Sequence, residues 1–474
     1  MAPARILIRG GHVLTMDEAL GDLPRGDVLV EGARIVAVAP TVAAGDARVI
    51  EAAGHVVMPG FVDTHRHTWQ TQMRALCADW TLTDYFLGIR LTISPAYTAD
   101  DVHVGNYVGA LEALDAGVTT ILDFSHCNNS PEHADAAVQG LVDAGIRALH
   151  CYGFFASNPA NPAFPSHQHR RADFERIART HATSGGRVTI GAALTEVGGI
   201  PWSDTVAEIE TARRAGARMV AHTGCVWGSV MTGGVKEMDT HELLGPDQVH
   251  VHCNTLDADD WRSLARAGAK VSISPETELN MGMGRLAIGT CRAHGIAPTL
   301  SCDIVSLNSG DLFTQMRLAL AYQRFADNDL VNQAGRMPST LTCTARDALA
   351  WATINGAEAC GLASEIGSLR PGKLADVVVL GGGDSFAFRP RHDPAASVVF
   401  QASARDVRTV LVGGTIMKHD GALVGVDVAR VLERAERSAE QIMSRVRAVT
   451  PSLPPRALAG IDFDALARAN LATA

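Results

Sequence analysis

Eight short apolar runs punctuate the middle of this chain, and seven of them end in a polar or charged residue. They are VVMPGFVD (56–63), TTILD (119–123), IRALH (146–150), VTIGA (188–192), MVAH (219–222), VHVH (249–252), KVSIS (270–274) and PTLSCD (298–303). Continuous apolar runs of this length read as strands buried on both faces. Alanine-rich amphipathic stretches lie between them, for example at 104–116, 207–215 and 312–325. Eight buried strands alternating with helices predict a (β/α)₈ barrel of the TIM type, in which chemistry gathers at the C-terminal strand ends. Those ends carry His65, His67, Asp123, His150, Glu196, His222, His252, Glu276 and Asp303.

The ends of the chain have another texture. Short β-like pieces bounded by glycine pairs and Asp/Gly turns fill the first 55 or so residues and recur over 366–425. They predict one small β-sandwich domain built from both termini. The expected organisation is 1–57 and 366–425 for that sandwich, 58–365 for the barrel, and 426–474 for a helical tail that closes with a short helix after Pro451 and Pro455.

Composition narrows the function. The 474 residues carry 41 basic and 51 acidic side chains, a net charge of -10, which argues against nucleic-acid and anionic-membrane partners. No apolar run reaches the roughly 18 residues of a membrane span. The start MAPARILIRGGHV enters a strand-like pattern without the zones of a signal peptide. Nine scattered cysteines read as reduced, buried thiols. A cytoplasmic enzyme acting on a small molecule is expected.

His65 and His67, two residues apart at the first strand end, fall on one side of the barrel mouth and can share a cation. By itself H-x-H is a weak signal, and later strand ends supply further imidazole and carboxylate. MPGFVDTHRH, AHTGC, VHVHCN, LSCD, ATINGAEACG and IGSLRPGKLADVVVL together resemble the amidohydrolase superfamily, within the branch that holds cytosine deaminase-like enzymes and s-triazine hydrolases. The resemblance runs from about residue 5 to 420.

That resemblance implies one divalent ion, zinc first with Fe(II) or Mn as alternatives, held by His65, His67, His222 and Asp303. It implies that Asp303 is also the base toward the attacking water, and that His252 polarises the substrate. Gln70 and Arg74 match positions near substrate, and His126 is a further pocket candidate or a rim residue. A homodimer or homotetramer is implied as well. Lysine occurs only at 236, 270, 373 and 418, so no carbamylated lysine on the fourth strand can bridge a second metal. Glu196 is the one carboxylate placed to do so, or else a salt-bridged loop residue.

The pattern departs from the branch at one point. Base deaminases there read H-x-x-E after the fifth strand, where this chain has His222-Thr223-Gly224-Cys225. A thiol with an ordinary pKa near 8.5 is a poor proton shuttle. Cys225 is thus an apolar filler, a substrate contact, or a metal or proton partner. Glu276 and Glu278, after the seventh strand, are candidates for the missing acid, for recognition of a substrate amine, or for a structural role. Arg66, Arg74 and Arg90 are the cations available to a substrate carboxylate. The expected reaction is hydrolysis of a C–N bond in a small, cyclic nitrogen compound. Hydrolytic dechlorination of an activated ring and the reverse ring-closing condensation are the alternatives, and a non-catalytic scaffold is not favoured.

Overall fold

Pro59 and Gly60 divide the first apolar run between two sheets. In a computed structural model of the chain, His55–Pro59 pairs antiparallel with Val377–Gly381 in a sheet made from the termini, and Phe61–Arg66 opens the barrel. The expected single strand at 56–63 is therefore two strands that meet at Gly60. The crossing is tight: a Cβ on Gly60 would lie 2.2 Å from side-chain atoms of Thr119. Only glycine permits that approach without displacement. The structure describes residues 4–158, 161–181, 186–225, 234–450, 452–453, 465 and 468–469. The closing helix expected at the end of the tail lies almost wholly outside them.

The barrel strands are β1 (Phe61–Arg66), β2 (Val118–Ser125), β3 (Arg147–Gly153), β4 (Val188–Ala193), β5 (Met219–Thr223), β6 (Gln248–His252), β7 (Lys270–Ile273) and β8 (Pro298–Leu300). They pair in sequential parallel order. Arg66 and Asp303 bridge the first and last strands, with Asp303 N donating to His65 O at 2.9 Å and His67 N to Asp303 O at 2.8 Å. The barrel thus closes at its C-terminal rim.

Inside it, Val62, Leu122, Phe124, Leu149, Val220, Val249 and Val251 form one apolar cluster. Between β1, β7 and β8 the filling is hydroxylic: Thr64 Oγ1 lies 2.7 Å from Ser272 Oγ and 2.8 Å from Thr299 Oγ1. Each hydroxyl finds a partner, so the polar wall is compatible with burial.

The terminal segments form a single mixed nine-stranded sheet. Its N-terminal and C-terminal arms contribute Ile8, Val28, Ile35, Val377 and Leu411 to one core. The sheet is tied to the barrel by Arg147, whose Nε and Nη2 donate to Asp376 at 2.9 and 3.0 Å. The tail forms a helix over Val428–Val449, and Ser438 Oγ there donates to Asp101 at 2.6 Å. No described helix is long and apolar enough to cross a membrane.

Candidate active site

Local irregularity, not simple alternation, aims the key side chains. Val62 and Thr64 face the barrel interior, so strict alternation would turn His65 and His67 away from it. A register shift between Asp63 and Arg66 breaks the alternation. His65 and His67 turn inward, while Arg66 points out to Glu112 at 2.9 Å on the helix Ala99–Asp115. Bulges of this kind re-aim side chains beside active sites.

A second device operates on β6. Val249 and Val251 are interior, and His250 bonds Thr223 Oγ1 on the opposite face at 3.0 Å, outside the barrel interior. His252 escapes the same fate because its φ is +76°. Cys253 and Asp303 also take positive φ, +57° and +60°. Three non-glycine residues in this region at strand ends mark strain held by the surrounding fold.

The result is a cluster of ligand atoms within 4.8 Å of one another in three overlapping sets: His65, His67 and Asp303; His65, His222 and His252; and His67, His126 and His222. Asp303 Oδ1 lies 3.2 Å from His65 Nε2 and 3.4 Å from His67 Nε2. The donor set suits a divalent ion that favours imidazole and carboxylate. Among the described residues, both ring nitrogens of His65 are buried without a hydrogen-bond partner, and so are both of His126. Orphaned buried imidazoles are costly unless something else satisfies them. A metal ion at this point would do so for one of the two His65 nitrogens.

The other rings are held from behind. His67 Nδ1 donates to Phe124 O at 2.8 Å. His222 Nδ1 donates to Glu196 Oε1 at 3.0 Å, and Arg90 Nη1 donates to the same oxygen at 2.6 Å. Both bonds leave Nε2 as the ligating atom, the arrangement that fixes tautomer and orientation in metal sites. Burial, which strips water from an imidazolium, lowers the pKa of His222 to about 4 and holds that of His67 well below the ordinary value. Both are neutral near pH 7, the state in which an imidazole can bind a metal. Burial works against ionisation of Asp303, but the surrounding histidines, His65 foremost, overcome it and keep its carboxyl ionised.

His252 differs. Its Nδ1 lies 3.1 Å from Glu278 Oε1, and burial, which opposes its charge, is outweighed by Glu278 and Asp303, so its pKa is raised. Glu278 is fully buried and also accepts from Ser274 N at 2.7 Å and Asn254 Nδ2 at 2.9 Å. It therefore meets the cluster through His252. Glu276 is not brought to the cluster: its Oε2 accepts from Ser309 N, Ser309 Oγ and Gln315 Nε2 at 3.1, 2.8 and 2.5 Å.

The remaining sequence candidates divide. Gln70 is buried, donating to Tyr85 Oη at 2.7 Å and accepting from Ser306 at 3.0 Å. Arg74 is half exposed and pairs with Glu112 at 2.8 Å, away from the histidines. His126 stacks on His67 with ring centroids 4.3 Å apart, within the cluster. Burial, followed by the charge of Glu196, pushes the Cys225 thiol up to about 12. It stays protonated and cannot shuttle protons as a carboxylate does. The Glu196–Arg90 support of His222 and the Phe124 carbonyl behind His67 were not foreseen. A backbone acceptor carries no sequence signal, and Arg90 stands 106 positions from Glu196.

A closed parallel barrel with histidines and an aspartate converging at its C-terminal rim defines a metal-dependent hydrolase barrel. Residues 56–417 match the amidohydrolase family, and the chain belongs to it. It is an enzyme of that family, a hydrolase of C–N bonds other than peptide bonds. The chain is 31% identical over 468 residues to a 5-methylthioadenosine/S-adenosylhomocysteine deaminase of Symbiobacterium thermophilum, covering 93% of this chain and 99% of that one. It is 28% identical to a 5'-deoxyadenosine deaminase of Methanosarcina barkeri, covering 94% and 100%. Among solved structures, a zinc-bound adenosine deaminase from Xanthomonas campestris superposes with TM-score 0.80 at 21% identity, over 94% and 99% of the two chains. A zinc complex of atrazine chlorohydrolase from Arthrobacter aurescens superposes with TM-score 0.79 at 21% identity, over 92% and 100%.

Proposed function

We propose that this enzyme hydrolyses a C–N bond at an sp² carbon of a small, cyclic nitrogen compound, releasing ammonia or an amine or opening the ring. The observation that carries the reading is the pair of overlapping groups His65–His67–Asp303 and His65–His222–His252, joined through His65. His65, His67, His222 and Asp303 would hold a divalent ion, zinc in this reading. When bound, such an ion lowers the pKa of a coordinated water from 15.7 toward about 7.

Asp303 accepts a proton from the attacking water. His252 donates a hydrogen bond to the atom of the substrate that gains electron density, and passes a proton to the leaving nitrogen. Glu278 fixes the ring and balances its charge. In this reading the His252–Glu278 pair does the work of the absent H-x-x-E glutamate.

Cys225 favours one alternative. Displacement of chloride from an activated ring needs no proton at the leaving atom, so a site without that glutamate suits it as well.

The test is a screen on zinc-loaded protein, with and without chelator. Its arms are adenine nucleosides, in view of the deaminase relatives, together with aminated heterocycles, lactams and chlorinated triazines. Ammonia or amine release lost on chelation supports the reading. Chloride release alone favours the alternative.

A further inference from the structure

Arg90 is an internal cation with two of its three nitrogens unpaired among the described residues. It lies on the helical segment Phe86–Ile93 and is 4% exposed. Its Nη1 is taken by Glu196, and its guanidinium carbon lies 4.0 Å from the centre of the Phe155 ring. Its Nε and Nη2 are both buried and have no partner among the described residues. An arginine donor left unpaired in the interior carries the full cost of its lost hydration.

The two free nitrogens form one edge of the guanidinium, and that edge matches a carboxylate bidentately. The same chain shows the match elsewhere. Arg147 uses Nε and Nη2 on the two oxygens of Asp376 at 2.9 and 3.0 Å. The other arginines near the rim are already engaged: Arg66 and Arg74 both bind Glu112.

Arg90 also borders the reaction space. Through Glu196 it is one residue removed from His222. Its charge is felt at His126 and at Cys225, after burial the second influence on the former and the third on the latter. We infer that the free Nε/Nη2 edge of Arg90 receives a carboxylate of the substrate, so that the enzyme acts on an anionic, carboxylate-bearing ring. This deepens the C–N hydrolase reading and rests on it.

The test is titration calorimetry on the zinc-loaded full chain with benzoate, benzamide and inorganic phosphate. A bidentate charged pair corresponds to a preference for benzoate over benzamide of about tenfold or more. Arg90→Met is expected to remove that preference while benzamide binding persists, with zinc content measured alongside because Arg90 also supports Glu196 behind His222. Arg90→Lys retains a cation beside Glu196 but has no fork. It covers the case in which the methionine variant does not fold, and it is expected to lose most of the preference. Equal binding of benzoate and benzamide by the wild type would overturn the inference. So would a preference that survives in either variant, which would seat the carboxylate on the metal, or phosphate binding as tight as benzoate binding. A chain that prefers benzoate through Arg90 but releases neither ammonia nor amine from carboxylate-bearing aminated heterocycles and lactams added to the screen would overturn the proposed reaction instead. One that hydrolyses neutral rings without a carboxylate preference would overturn only the Arg90 inference.

Discussion

Nδ1 of His252 lies 3.1 Å from Oε1 of Glu278, a carboxylate with no accessible surface that also binds Ser274 N and Asn254. The pair joins the end of β6 to the helix after β7 and sets which way the imidazole points. Glu278→Gln keeps the shape but removes the charge behind His252. Turnover is expected to fall at least about tenfold, roughly 1.4 kcal/mol of barrier, with zinc content retained. Glu276→Gln, whose partners are Ser309 and Gln315, is expected to change turnover less than about threefold, under 1 kcal/mol. Steady-state kinetics on one substrate compares the two variants directly.

Gly60 marks the crossing between sheets. Gly60→Ala places a methyl 2.2 Å from Thr119. The expected destabilisation is about 1–3 kcal/mol, as for other overpacked sites, read as a lower urea midpoint at unchanged slope.

The joint between the barrel and the flanking sheet depends on a buried charge. Asp376 is 3% exposed and binds Arg147 and the amide of Gly413. Arg147→Met would leave the carboxylate without its cation, at a cost of about 3 kcal/mol. Arg147→Met/Asp376→Leu is expected to recover part of the loss, which a double-mutant cycle measures.

His250 supplies a pH dependence. Burial alone lowers its pKa from 6.5 to about 4 in the folded chain. Between these values the unfolded chain binds a proton that the folded chain does not, so stability rises with pH through the window and is lost as pH falls. The loss from this residue reaches about 3 kcal/mol by pH 4. His250→Gln is expected to flatten the dependence of the unfolding free energy on pH between 4.5 and 6.5 by close to one proton, measured by denaturant titration alongside the wild type.

The barrel was legible because each of its strands carries a short, largely apolar run, a pattern that survives without knowledge of partners. The division of 56–63 between two sheets was not, since Val56 to Val62 are apolar in both settings and only the contact with Thr119 distinguishes them. Spacing offered both Glu276 and Glu278 as acids. They lie on the helix Pro275–Asn280, where two positions are about 200° apart, so only one can face His252. The inward turn of His252 depends on a positive φ, which no pattern of residue types announces. Pairings such as Arg90 with Glu196 require the fold itself, because the helical segment after β1 reaches the end of β4 only in three dimensions.

The central claim is that His65, His67, His222 and Asp303 hold an ion on which C–N hydrolysis depends. Metal content and ammonia or amine release, measured together on the wild type and on His222→Ala, test it most directly. Close to one ion per chain, with activity lost on chelation, restored by zinc and absent in His222→Ala, is the predicted result. A wild-type chain that binds less than about 0.3 ion under metal-replete conditions, or that hydrolyses its substrate unchanged after chelation, would contradict it.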